Sequence, residues 1–224
     1  MHLLITSAAD PLTRTLADQL AAEHTIRLTD RVPVQSPHEF ALSPLGHDAS
    51  TNLLVRGMDA IVHVASAPAD LDAPGQIDWL TRGTYNLLMA AAAEDVRRVV
   101  YLSSLDLMTA YDADFAVDER WRPLPQPQPP TLTTYLGESV CREFAREHKL
   151  SVAVLRLAEV TESDERIPSA AWVDLRDVAQ AVNLALTADI DPWAVYHIAS
   201  AAAGPRFSIG KAQSELGYAP QFNG

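Results

Sequence analysis

The sequence predicts an α/β protein built on a doubly wound parallel sheet, and three features carry that expectation. Short apolar runs, Leu3-Leu4-Ile5, 60–64 (AIVHV) and 99–102 (VVYL), have the length and content of strands buried on both faces. Between them lie stretches with helical spacing; Leu12, Leu16 and Leu20 recur every four residues and so share one helix face. The two kinds of segment alternate along the chain, as strands joined by helical crossovers on both sides of a sheet require.

In chain order, the strand at Leu3–Ile5 is followed by a turn and the Leu12–Leu20 helix, and residues 25–29 (TIRLT) read as the next strand. A loop rich in Pro and Ser leads to a helical Leu53-Leu54-Val55 and then to the strand 60–64. Strong helix formers fill 79–93, ahead of the strand 99–102. The remainder reads as a helix over 132–148, a strand over 151–155, a helix over 178–186 and a strand over 195–198. Residues 123–130 (PLPQPQPP) are too proline-rich for a helix or central strand, so 112–131 is expected to be a long exposed loop within one domain spanning 1–224.

Composition narrows the function classes. With 48% hydrophobic and 21% charged residues the chain has the content of a globule rather than of a disordered tail. Its 17 Lys+Arg against 29 Asp+Glu give a net charge of −12, which argues against nucleic acid or an anionic membrane surface as partner. Cys141 is the single cysteine, which excludes an intrachain disulfide and any cysteine-cluster metal site. His2, His24, His38, His47, His63, His148 and His197 lack ligand-like spacing, so no metal is expected; His63 and His197, within strands, read as core residues. No G-x-S-x-G elbow surrounds any serine, and Trp79, Trp121, Trp172 and Trp193 read as packing residues. The opening MHLLITSAAD has no basic n-region, and no segment approaches the roughly 20 apolar residues of a membrane helix. A cytoplasmic protein is expected.

Ligands of doubly wound sheets sit beyond the carboxyl ends of the strands, and there a family resemblance appears. LLITSAADPLT is similar to the first strand, turn and helix of the extended short-chain dehydrogenase/reductase family, of the NAD-dependent epimerase/dehydratase type. GMDAIVHVASAP resembles its fourth strand and loop, and RGTYNLLMAAAAEDVRRVVYLSS its helix leading to the serine-bearing strand. TYLGESVCREFAREHKLSVAVLRLAEV resembles its tyrosine helix and next strand; WVDLRDVAQAV, VYHIAS and ELGYAP resemble its final helix, strand and tail. The resemblance implies a Rossmann-like fold with a reduced C-terminal substrate region, since only 161–171 intervenes where the family inserts a sizeable segment. A substrate, if there is one, is then small.

The resemblance also assigns residues. Ser104 matches the catalytic serine and Tyr135 the catalytic tyrosine, while the lysine position holds Ser139. A tyrosine with no cation beside it is ionised to only about 0.1% at pH 7, and Arg142, one turn further on, is no ready substitute. On the cofactor side, Asp30 matches the acid that meets the ribose 2′-OH, with Arg31 beside it able to accept a 2′-phosphate instead. Asp48 matches the acid at the adenine edge, and Ala65 and Ser66 match the small residues under the phosphate. The three glycines of the family's first turn are replaced by Ser7, Asp10 and Thr13. Asp10 followed by Pro11 is a self-capped helix start. A carboxylate about 5 Å from a phosphate charge costs roughly 3 kcal/mol at an effective dielectric of about 20.

From these departures the sequence points first to a non-catalytic binding or regulatory relative whose NAD site is weakened or lost. The alternative is an NAD-dependent oxidoreductase or epimerase acting on a small sugar, alcohol or ketone through Ser104 and Tyr135. Either form allows a small-molecule ligand and a homodimer through the helices 79–93 and 132–148, as the resemblance implies.

Overall fold

The computed structural model describes residues 1–147, 149–162, 171–201 and 206–222. His148 and residues 163–170, most of the 161–171 segment singled out above, lie outside that range. The strands are β1 (His2–Ile5), β2 (Thr25–Asp30), β3 (Glu39–Leu42), β4 (Ala60–Val64), β5 (Arg98–Ser104), β6 (Ser151–Leu157), β7 (Glu159–Thr161), β8 (Trp172–Asp174) and β9 (Trp193–Ile198). Seven of them form one sheet in the order β3-β2-β1-β4-β5-β6-β9, with every neighbouring pair parallel. β7 and β8 make a small separate parallel pair. The strand order reverses between β1 and β4, the switch point at which such sheets open a crevice.

The helices are α1 (Pro11–Leu20), α2 (Ala49–Val55), α3 (Ala73–Asp78), α4 (Thr84–Ala93), α5 (Thr131–Arg146) and α6 (Leu175–Thr187). Because successive strand residues point to opposite faces, the sheet has two cores. Leu3, Ile5, Val62, Val100 and Leu155 pack with α1 and α6 on one side. Leu4, Ile61, Val99, Tyr101 and Val154 pack with α2, α4 and α5 on the other. Every residue of β4 is buried, His63 included.

Several boundaries differ from the pattern reading. The predicted helix 79–93 starts earlier, as α3, and a wide π-helical turn over Trp79–Gly83 joins α3 to α4. β3, the sheet edge, was absent from the reading because EFAL carries neither β-branched residues nor alternation. Residues 112–131 hold one isolated bridge, Val117 to Phe207, ahead of α5. Arg98 at the foot of β5 donates to the carbonyls of Ala185 and Ala188, satisfying the end of α6 with a cation. The C-terminal tail docks on the same helix: buried Asp177 accepts from the amides of Gln221 and Phe222.

Gly137 marks the closest approach of α5 to the sheet. A methyl group there would collide with the Tyr101 hydroxyl and lie 3.0 Å from the Leu80 carbonyl oxygen. That hydroxyl donates to the Thr134 carbonyl of the same helix at 3.1 Å. Gly137→Ala is therefore expected to destabilise the fold by about 1–3 kcal/mol, the usual cost of overpacking, read as a lower urea midpoint with unchanged slope.

Candidate functional site

The crevice at the switch point is built by the turns after β1, β2 and β4. Ser7 adopts a φ of +61°, a left-handed conformation that glycine takes freely and that costs another residue roughly 1–2 kcal/mol. Its buried hydroxyl lies 3.2 Å from the Val64 carbonyl and 3.3 Å from that of Ser66, tying the turn after β1 to the end of β4. Asp10 caps α1. One carboxylate oxygen accepts from the Leu12 amide at 3.0 Å and the other from the Ser66 hydroxyl at 2.8 Å. Pro11, at the first helical position, has no N–H to offer. Arg14 donates to the carbonyls of Ala8 and Ala9, both at 2.9 Å, holding the turn from below. Thr13, at the third glycine position, is buried with its hydroxyl unpartnered.

Asp30 ends β2 and is 4% exposed. One of its oxygens accepts from the amides of Arg31 and Val32, the other from that of Ala9 at 2.9 Å. The Arg31 guanidinium is ion-paired with Asp70. Ser7, Asp10, Asp30, Ser66, Pro68 and Trp79 border a cavity of about 460 Å³. Ala65 precedes Ser66 in the chain but does not border the cavity; its amide is bonded to the Leu102 carbonyl. The structure thus brings Ser7, Asp10, Asp30, Arg31 and Ser66 to one crevice.

Asp48 is elsewhere. It caps α2 through the Ser50 amide at 2.8 Å and borders a different cavity, of about 230 Å³, with Asn86 and Ala90. Hydrogen bonds from Ser50 hold this exposed carboxyl below the usual carboxylate range.

Ser104 ends β5, and its Oγ accepts from the Asp106 amide at 3.0 Å, which leaves its O–H free to donate. It borders a cavity of about 330 Å³ with Asp106, Leu157, Arg206 and Phe207. Tyr135, on α5, borders another cavity, of about 410 Å³, with Trp121, Arg156 and Trp193. Ser139 donates back to the Tyr135 carbonyl at 2.9 Å, an ordinary bond within the helix. The structure does not bring Ser104 and Tyr135 into one cavity.

One ion pair lies outside the pattern reading, while His63 takes the core place expected of it. Glu138 and Arg156, each about 5% exposed or less, form an ion pair at 2.9 Å beneath Tyr135; the available signal was a charge inside the apolar run AVLRL. His63 lies buried between Thr6, which follows β1, at 2.8 Å from Nδ1, and Thr84, at the start of α4, at 2.9 Å from Nε2. Thr84 donates its own proton to the Leu80 carbonyl, so Nε2 carries the hydrogen and Nδ1 accepts. Burial pushes the imidazole pKa down to about 4, fixing it neutral. Among the described residues, no group of three His, Cys, Asp or Glu side chains is arranged to hold a metal, and no helix is long and apolar enough to cross a membrane.

With this geometry in hand, known proteins give a consistent picture. The model of the NAD dependent epimerase/dehydratase family matches residues 11–163. L-arabinose 1-dehydrogenase (NAD(P)(+)) of Haloferax volcanii is 26% identical, with 99% of this chain and 97% of that one covered. Uronate dehydrogenase of Pseudomonas putida is 23% identical over 83% of this chain and 71% of its own length. A crystal structure of uronate dehydrogenase from Agrobacterium tumefaciens, a variant complexed with NAD, superimposes with a TM-score of 0.85 at 25% identity, covering 98% of this chain and 84% of that one.

The neutral histidine has a pH signature. Its pKa is lower in the folded than in the unfolded chain, so the unfolded state takes up the proton first. His63 therefore contributes stability that is complete above about pH 6.5 and is lost as the pH falls towards 4. His197, buried and held down to about 3, acts with the same sign. Unfolding free energy is expected to fall by about 1.4 kcal/mol per pH unit for each histidine in this window. In urea titrations across it, His63→Gln is expected to show a shallower slope; an unchanged slope would contradict the assignment.

Proposed function

The chain belongs to the NAD dependent epimerase/dehydratase family, and on that premise we propose that it is an NAD(P)-dependent oxidoreductase of a small polyhydroxy substrate. The observation that carries the reading is the crevice over β1 and β4, closed on one side by the buried Asp30. One Asp30 oxygen has a single amide donor, so it retains acceptor capacity for ribose hydroxyls. Val32, Pro68 and Trp79 supply apolar walls for a nucleoside. Arg31 is engaged by Asp70 rather than free for a 2′-phosphate, which favours NAD over NADP. These residues fit the group, and the Asp10 carboxylate is the one that opposes its diphosphate. Affinity is reduced rather than abolished. The near full-length relative named as an NAD(P)(+) sugar dehydrogenase supports the same reading, and loss of catalysis, the first expectation from the sequence, gains no support from the relatives.

When bound, the nicotinamide takes up or delivers a hydride. Ser104, its hydroxyl proton uncommitted, holds the substrate oxygen at the end of β5. Tyr135 exchanges the proton, which requires its hydroxyl to reach from its own cavity towards that of Ser104. Without a lysine neighbour this step is slower by on the order of a hundred- to ten-thousandfold than assisted transfer. A homodimer through α4 and α5 belongs to the same reading: Tyr85, 45% exposed, stacks edge-on against Phe144 at 5.5 Å, where the two helices meet.

A second reading, nucleotide binding without turnover, is favoured by one observation: Ser104 and Tyr135 border separate cavities while Ser139 bonds only to its own helix. Calorimetric titration of NADH is expected to give weak binding to the native protein and about a hundredfold tighter binding to Asp10→Gly, the equivalent of roughly 3 kcal/mol. Absence of binding in both would overturn the proposal. With L-arabinose or a uronate and NAD, slow growth of the reduced-nicotinamide absorbance that Ser104→Ala removes supports turnover; binding with a flat trace leaves the second reading standing.

A further inference from the structure

The flank of the sheet between α5 and β9 carries a concentration of cations at odds with the rest of the chain. Of 17 Lys+Arg in a protein of net charge −12, Arg120, Arg122, Arg142 and Arg156 border the single 410 Å³ cavity beside Tyr135. Its two acids, Glu119 and Glu138, are both pushed above the usual carboxylate range by burial. Arg120 is occupied by Asp118. Arg122 has no ion pair among the described residues, and Arg142 reaches Glu143 only at 3.9 Å.

Arg156 is the unusual member. Its side chain is 5% exposed, yet its Nε alone meets a strong acceptor, Glu138. One terminal nitrogen has only the weakly accepting Met108 sulfur at 3.5 Å, and the other has no partner among the described residues. The remaining terminal nitrogen is open to the cavity, and the guanidinium fork fits the two oxygens of a carboxylate. Trp121, Trp193 and Tyr135 offer flat apolar walls beside it.

We infer that this cavity is a binding site for a small organic monoanion, a carboxylate carried on a planar apolar body. The carboxylate pairs with Arg156 and Arg142, and the body lies against the tryptophans. A phosphate dianion is disfavoured by Glu119 and Glu138 in the same lining. The volume lies within the range of small-molecule pockets. The site lies apart from the nucleotide crevice, since neither Asp10, Asp30, Ser66 nor Ser104 borders it, and it shares only Tyr135 and Ser139 with the oxidoreductase reading.

The test titrates benzoate and indole-3-carboxylate, each beside its neutral amide, into the full-length protein without nucleotide. At least one acid is expected to bind tenfold or more tightly than its amide. In NMR spectra the indole N–H signals of Trp121 and Trp193, assigned by Trp→Phe substitution, are expected to shift, while that of Trp79, at the Asp10–Asp30 crevice, stays in place. Arg156→Met is expected to weaken the acid at least tenfold, and Arg142→Ala, on an exposed side chain, at least threefold even where the first variant fails to fold. Acid and amide binding alike, an unaffected Arg142→Ala, or a shift at Trp79 alone each overturns the inference.

Discussion

A parallel sheet has two apolar faces and tolerates water on neither, and that constraint decides where this chain can place chemistry. α1 and α6 cover one face; α2, α4 and α5 cover the other. β4, β5 and β6, in the middle, are sealed along most of their length, so polar groups with access to solvent are driven to the strand ends. His63, inside the sheet, is matched on both sides, by Thr6 and Thr84. The sheet is fully wound at its centre and less completely covered at β9, where Trp193 stays partly exposed. The crevice at β1 and β4 and the cavity beside α5 are thus two consequences of one covering requirement, met fully in the middle and partly at the margins.

Within the crevice, the shape of the turn and its charge have been decoupled. A glycine turn at a dinucleotide site supplies a tight left-handed bend and room for a phosphate at a helix N-terminus. Ser7 keeps the bend at a φ of +61°, and its contacts with the carbonyls of Val64 and Ser66 offset some of the strain. Asp10 replaces the room with a carboxylate that satisfies the Leu12 amide and holds Ser66. As a cap it is worth about 1 kcal/mol to the helix, whereas opposite a diphosphate it costs roughly 3 kcal/mol. The carboxylate thus stabilises the turn of the free protein in the place where the family's glycine turn leaves room for a phosphate.

Much of this architecture was legible because parallel strands leave an unusually plain trace. AIVHV and VVYL announce burial on both faces without any partner being known, and the Asp10–Pro11 cap was readable as a dipeptide. β3 was not, since an edge strand is fixed by pairing with β2 rather than by its own side chains. The π-helical turn at Trp79–Gly83 was hidden too, because it lies between two α-helical stretches and its residues carry no pattern that separates an α from a π turn. Asp30 and Ser66, close in sequence to strand ends, border one crevice. Tyr135 and Ser104 border differently delimited cavities, and the close approach of α5 to Tyr101 at Gly137, 36 residues apart in sequence, is a contact that no local pattern encodes.

The Glu138–Arg156 pair illustrates the limit of reasoning from stability alone. β6 is otherwise a run of Val, Ala and Leu, and an aliphatic residue in place of Arg156 would fill the interior without desolvating a charge. Buried ion pairs of this kind are at best neutral against such a replacement, and this one leaves a terminal guanidinium nitrogen facing the cavity rather than bonded within the protein. Its burial is therefore not explained by what it contributes to folding. The three further arginines around the same cavity extend the argument, because in a chain with a net charge of −12 their mutual repulsion would be relieved by dispersal over the acidic surface. Fold energetics favours neither the buried guanidinium nor the cluster around it, and an anion completing the fork of Arg156 accounts for both.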